Sequence, residues 1–119
     1  MRYVLHIYSS SNGSDWDNLS EEEQNAVFAE YGAIQNAPGV VGGDQLQPAS
    51  TVTTVRVQDG QTLTTDGPFA ETKEVLGGYY LIDVATLDEA LEWAAKIPSA
   101  RCGHIEVRPI VMREAEVAS

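Results

Sequence analysis

The sequence contains the same helix-start signal twice. Ser20 and Glu23 form a capping box, in which each side chain satisfies a free backbone amide of the first helical turn, and Thr86 and Glu89 repeat that spacing. Each signal follows a segment rich in β-branched and aromatic residues, and each precedes apolar residues at helical spacing. The chain is therefore predicted to contain two similar strand–helix–strand halves.

The segments outside the helices have the composition of strands. The predicted strands are residues 2–8, 40–46, 51–57, 61–65, 77–84 and 104–112. Gly42-Gly43 is expected to interrupt the second of them. Asp59-Gly60 is predicted to form the tight turn of a hairpin, because glycine accepts the positive φ that such turns require.

The apolar stripes of the helices complete the predicted order of elements. The first stripe contains Val27, Tyr31 and Ile34, and the second contains Leu87, Ala90, Leu91, Ala94 and Ile97. Pro38-Gly39 and Pro98 end the two helices. The resulting order is β-α-β, then a β-β hairpin, then β-α-β. It predicts a ferredoxin-like α+β fold, βαββαβ with an extra hairpin, in which two helices cover one face of an antiparallel sheet.

The uncovered face of that sheet predicts an oligomer. Two helices shield one side only, and the other side also carries bulky residues such as Tyr8 and Tyr79. Two such sheets packed face to face would bury this surface. We therefore expect a homodimer that forms an α/β barrel.

Charge and length limit the classes of partner. A chain of 119 residues suits one domain, taken as residues 1–119, and its net charge of −11 argues against nucleic-acid and membrane partners. The single cysteine, Cys102, excludes an intramolecular disulfide and fits a reducing compartment. No apolar run approaches bilayer length, and the N-terminal segment does not resemble a secretion signal, so we expect a cytoplasmic protein.

Side-chain alternation collects ionisable groups on one side of the predicted sheet. The set consists of His6, Tyr8, Tyr79, Asp83, His104, Glu106 and Arg108. It predicts a polar pocket for a small organic molecule, in which His6 and His104 handle a proton and Arg108 orients an anionic group. An equally open alternative is that Glu106 and Arg108 have a structural role, either by pairing with each other or by bridging to the other subunit. His6, His104 and Glu106 have acceptable ligand types but no tight spacing motif, so we predict no metal or cofactor.

The loop after the hairpin contributes a further candidate. Asp66 precedes Gly67-Pro68-Phe69 and is available as a proton-carrying carboxylate at the pocket mouth, with Phe69 as a contact for the ligand. Turn chemistry explains the same residues without a ligand, because Asp before Gly-Pro is a good turn former and Phe69 can anchor the loop.

This loop also carries a family resemblance. The run Asp66-Gly67-Pro68-Phe69, continued through Glu74 to Leu76-Gly77-Gly78-Tyr79-Tyr80, resembles the motif that names the DGPF branch of the YCII-related proteins. Further similarity lies in Thr53-Thr54-Val55-Arg56, Leu87-Asp88-Glu89-Ala90 and the segment from Gly103 to Pro109. The resemblance covers nearly the whole chain and implies a ferredoxin-like fold that dimerises as an α/β barrel.

The resemblance leaves two functions open. YCII-type enzymes use a histidine after the first strand together with an aspartate, and residues 20–36 contain no histidine. The first function is a small-molecule binder or proton-transfer enzyme of the lyase or isomerase kind. The second, implied by DGPF relatives, is a non-catalytic module associated with an extracytoplasmic-function sigma factor.

Overall fold

The computed structural model describes residues 1–10, 17–67 and 73–112. Its helices and strands, in chain order, are β1 (Arg2–Ser10), α1 (Glu21–Gln35), β2 (Val40–Gln45), β3 (Thr53–Gln58), β4 (Gln61–Asp66), β5 (Glu74–Asp83), α2 (Leu87–Lys96) and β6 (His104–Pro109). Short 3-10 helices lie at Ala49–Thr51 and Pro98–Arg101. The predicted order of helices and strands is confirmed.

Two sheets result from these strands. β2, β5, β1 and β6 form a four-stranded sheet in that order, and every neighbouring pair is antiparallel. β3 and β4 form a separate antiparallel hairpin, which lies between β2 and β5 in the sequence. This mixed α+β arrangement is consistent with a ferredoxin-like fold that contains an inserted hairpin.

The core lies on one face of the four-stranded sheet. It consists of Tyr3, Leu5, Ile7, Ile34, Tyr80, Ile82, Ala90, Ala94 and Ile97. Two phenols tie α1 to this core: the Tyr80 hydroxyl donates to the Tyr31 carbonyl at 3.1 Å, and the Tyr31 hydroxyl lies 2.6 Å from Ser99 Oγ. Burial raises the pKa of both phenols, so they stay neutral and available for these hydrogen bonds.

The first predicted capping box is confirmed, and the second is formed only in part. Glu23 N–H donates to Ser20 Oγ at 3.1 Å, and Ser20 N–H donates to Glu23 Oε1 at 3.0 Å. At α2, Glu89 N–H donates to Thr86 Oγ1 at 3.2 Å, but the Glu89 carboxylate accepts from Ala85 N–H instead of the cap residue.

The predicted stripe of α2 is wrong for its two leucines. Leu87 and Leu91 are 48% and 47% exposed, whereas Ala90 and Ala94 are buried. The helix presents Ala90 and Ala94 to the core, and Trp93 packs against the same core. The larger leucines therefore lie on its outer side.

Strand bounds also differ from the prediction. β2 runs through Gly42 and Gly43, and the predicted interruption takes the form of a register shift between Val40 and Gly42. Gly43 has φ 143°, and a Cβ there would lie 2.5 Å from the Tyr79 carbonyl oxygen, so the glycine permits close pairing with β5. β1 continues to Ser10 and β5 begins at Glu74, because a register shift after Ile7 keeps the two strands paired. Glu74, predicted to lie in a loop, is therefore a strand residue.

The hairpin β3–β4 has the predicted turn. Asp59 and Gly60 have φ 52° and 77°, the left-handed conformations of a two-residue hairpin turn. Most of the hairpin is exposed, including Val55 at 59% and Val57 at 71%. Across the described ranges, no helix is long and apolar enough to cross a membrane.

Candidate functional site

The face of the four-stranded sheet opposite the helices is the candidate site, and we call it the open face. The predicted alternation is correct for β1, where Tyr3, Leu5 and Ile7 are buried beneath the helices and His6 and Tyr8 are on the other side. Antiparallel register then aligns open-face residues in rows across the sheet. One row is Asp44, Tyr79, His6 and Glu106, and the next is Leu76, Tyr8 and His104.

His104 is the most contacted ionisable group on this face. Its Nδ1 is hydrogen-bonded to Glu74 Oε2, and its Nε2 lies 3.4 Å from Glu106 Oε1. Its ring stacks on Tyr8 with a centroid distance of 4.7 Å and an interplanar angle of 3°. Three strands thus hold one imidazole, which remains 47% exposed.

The two carboxylates set the charge of this imidazole. The hydrogen bond of His104 to the Glu74 carboxylate, and to a lesser degree its contact with the Glu106 carboxylate, raises the pKa of His104 above its usual 6.5. The protonated ring donates to Glu74 through Nδ1, which fixes the ring orientation. Nε2 has the longer and weaker contact, so its proton is the one that a bound molecule can accept.

Local backbone packing positions His104. Gly103 precedes it, and a Cβ at Gly103 would lie only 2.1 Å from the Tyr8 carbonyl oxygen. The missing side chain lets the start of β6 lie directly against β1, which places His104 opposite Tyr8.

Sequence reasoning missed Glu74. Its carboxylate approaches His104 because β5 extends three residues beyond the predicted start at Gly77. The glycine pair Gly77-Gly78 suggested a strand end. Simple alternation from Tyr79 would place Leu76 and Glu74 on the helix-covered face, and the register shift between Ile7 and Tyr8 brings them to the open face.

The remaining predicted residues are distributed along and beyond the open face. His6 pairs in register with Tyr79 on one side and Glu106 on the other, and it is half-buried. His6 is diagonal to His104, a separation of about 7–8 Å for such pairs. Arg108 lies opposite Val4, about 14 Å of strand from His104.

Glu106 contacts His104 instead of Arg108. Within the described ranges, no ion pair joins Glu106 to Arg108 of the same chain, and a bridge from either residue to another subunit stays a prediction. The described ranges also contain no group of three His, Cys, Asp or Glu side chains arranged to hold a metal ion. The two nitrogens of His104 face different carboxylates, which is unsuited to a single shared ion.

Asp66 and Gly67, the described residues of the run Asp66-Gly67-Pro68-Phe69, lie outside the four-stranded sheet. Asp66 is exposed and ends β4, so it belongs to the hairpin. Gly67 has φ 93°, its N–H donates to the Val52 carbonyl at 2.6 Å, and its own carbonyl accepts from Thr54 Oγ1 at 2.8 Å. These contacts support the turn interpretation at the base of the hairpin. Phe69 lies outside the described residues.

Comparison with known proteins gives the family. The YCII-related domain matches residues 1–114. The chain is also 40% identical over 119 residues to the uncharacterized protein R00369 of Rhizobium meliloti strain 1021, and the alignment covers 94% of each chain. Together with the α+β fold, these matches show that the chain belongs to the YCII-related domain family.

Proposed function

We propose that residues 1–119 form a single YCII-related domain, of the DGPF branch, that works as a homodimer. It binds a small organic molecule on the open face, with His104 as a proton donor in lyase- or isomerase-like chemistry. The observation that carries this proposal is the imidazole of His104, held by Glu74, Glu106 and Tyr8 while still exposed to a ligand.

The contacts of His104 define the proton transfer. At neutral pH the raised pKa increases the imidazolium fraction above that of a free histidine, which suits a general acid. The Nε2 proton passes to a basic atom of the ligand. The neutral ring keeps its proton on Nδ1, which donates a hydrogen bond to the Glu74 carboxylate. Glu74 thus acts as a positioning residue that keeps the ring in one orientation through the transfer.

Other residues of the open face support binding. His6 and Tyr79 supply polar atoms in the row beside His104. Among the described residues, Arg108 has no ion pair, so its guanidinium is suited to orienting an anionic group. Asp66 is retained as a proposed second proton carrier and Phe69 as a proposed ligand contact.

Exposed apolar side chains support the homodimer. The two helices cover one face of the four-stranded sheet, and Val55, Val57 and Leu76 are 59%, 71% and 39% exposed. Packing against a second copy would bury them. A reducing, cytoplasmic setting fits the single cysteine, Cys102, which is exposed.

NMR of the histidine side chains tests the proposed ligand binding. The protein would be titrated separately with benzoate, pyruvate and phenol while the imidazole signals of His6 and His104 are followed. We expect at least one probe to shift the His104 signal, and His6→Ala and Glu106→Ala to weaken that binding without unfolding the protein. A His104 signal that no probe shifts, or unfolding of both variants, would contradict the proposal.

A second candidate function is a non-catalytic module that binds an extracytoplasmic-function sigma factor. The exposed valines of the hairpin favour it, since apolar residues at 59% and 71% exposure mark interaction surfaces. This function predicts that substitutions of Val55 and Val57, but not of His104, abolish the association with the sigma factor.

A further inference from the structure

We propose that the hairpin β3–β4 of each subunit closes the candidate site of the partner subunit. This inference rests on the homodimer proposed above and specifies which surface one copy contributes to the other. The part of the open face that it covers holds Tyr8 and His104.

The hairpin requires a cover that the described part of its own chain does not supply. Val55 and Val57 share one side with Thr62 and Thr64, and the cross-strand pairs Val55–Thr64 and Val57–Thr62 leave two apolar side chains exposed there, with Asp66 on the same side at the base of the hairpin. A lone two-stranded hairpin is marginally stable in water, and stability comes from packing its apolar side against another surface.

The position of the hairpin directs it toward the site end of the sheet. It leaves the four-stranded sheet after Gln45, which pairs with Gly78, and the chain returns at Glu74, which pairs with Ser10. Glu74 is the residue that contacts His104, so hairpin and site share one end of the sheet. Strands of six residues extend about 20 Å, enough to cross several strands of a second sheet.

Charge favours a second copy of this chain as the occupant. The net charge of −11 opposes association over most of the surface. The hairpin is less acidic, with one cation, Arg56, and two carboxylates, Asp59 in its turn and Asp66 at its base, so the valines lie in its least charged part. The open face offers Leu76, 39% exposed, beside Tyr8 as an apolar contact for the valines. A two-fold arrangement satisfies both copies at once, because each hairpin covers one open face and the interface closes.

The site is incomplete without such a cover. His104 is 47% exposed and its contacts with Glu74 and Glu106 are open to water, which weakens electrostatic control of a proton. A hairpin from the partner subunit would exclude water while leaving Nε2 directed at a bound ligand.

Intermolecular paramagnetic relaxation tests the proposal. One copy has no isotope label and carries Cys102→Ser and Gln61→Cys. A nitroxide is attached to the new cysteine at the hairpin tip. The second copy carries Cys102→Ser alone and is isotope-labelled, so any signal loss arises between chains. We expect strong broadening of the Tyr8 and His104 signals. A nitroxide at Ala29→Cys on the exposed side of α1 is the matched control and should leave them sharp.

The outcomes separate this inference from the homodimer itself. A dimer by light scattering with broadening at Tyr8 and His104 supports the proposal, and Val57→Lys should then raise the dimer dissociation constant about tenfold or more. A dimer whose broadening falls elsewhere overturns the hairpin contact and leaves the homodimer standing. A monomer at all concentrations overturns both.

Discussion

Tyr8 and His104 lie face to face on neighbouring strands, with ring centroids 4.7 Å apart and ring planes within 3° of parallel. The pair occupies matched positions of the β1–β6 register, and Glu74 and Glu106 approach the imidazole edge from β5 and β6. The stack fixes the plane of the ring, and the carboxylates fix its rotation in that plane. His104 is thus oriented before any ligand arrives.

Removing the phenol tests this orientation. In Tyr8→Leu, the His104 ring signals should move downfield because the ring current of Tyr8 is lost, and imidazole mobility should rise. Tyr79→Leu is the matched control, since Tyr79 faces His6 in the register and should perturb the His6 signal instead. Proton–carbon NMR of the histidine side chains measures both. Equal effects of the two variants on His104 would contradict the stack.

The carboxylates around His104 predict a pH dependence. The pKa of His104 is raised chiefly by Glu74, so stabilisation from this cluster is fully present below about 6.5, the usual histidine value, and is lost as pH rises through the folded pKa. Glu74→Gln should lower the His104 pKa more than Glu106→Gln does. An NMR titration of the two histidines measures these values.

The control for this titration is Glu92→Gln on the exposed side of α2. It changes the net charge by the same amount as the other two substitutions and should leave the His104 pKa within experimental error. An equal decrease in all three variants would show that the net charge of −11, and not contact with Glu74, sets the pKa.

Sequence patterns predicted those parts of the fold that depend on local chemistry. The capping box of Ser20 and Glu23 and the turn at Asp59-Gly60 follow from hydrogen bonds and φ angles within a few residues, and both are confirmed. Alternation along β1 also assigned the two faces correctly. The sequence could not decide which residues of the α2 stripe are buried. Leu91 and Ala94 both lie on the stripe, and the spacing between helix and sheet determines which of them packs against the sheet.

The site was predictable only as far as alternation extends. His6, Tyr8, Tyr79, His104 and Glu106 were placed together because strand period alone decides their side. The role of Glu74 depended on the register shift after Ile7, which depends on how two distant strands pair and has no local signal. Asp66 likewise lies apart from the four-stranded sheet because β3 and β4 pair only with each other, which depends on long-range strand pairing.

Glycine substitutions test the packing that positions His104. Gly103→Ala should destabilise the protein by about 2 kcal/mol or more, because the new Cβ would meet the Tyr8 carbonyl oxygen at 2.1 Å and the start of β6 must move. The His104 signals should shift as well. Gly32→Ala is the control: it lies within α1 with no atom within 4 Å of the new Cβ, and it should stabilise by roughly 0.5–1 kcal/mol. Urea unfolding measures both, and destabilisation by the two variants alike would contradict the packing described.

Paired leucine truncations test which side of the molecule forms the core. Leu5 has no exposed surface, so Leu5→Ala removes buried methyl groups beneath the helices and should cost about 2–5 kcal/mol. Leu91 lies on the outer side of α2 at 47% exposure, and Leu91→Ala should cost less than about 1 kcal/mol, since alanine also favours the helix. The measurement is urea unfolding at several protein concentrations, which separates loss of core packing from loss of subunit association. A cost for Leu91→Ala as large as that for Leu5→Ala would show that the outer side of α2 is covered in solution.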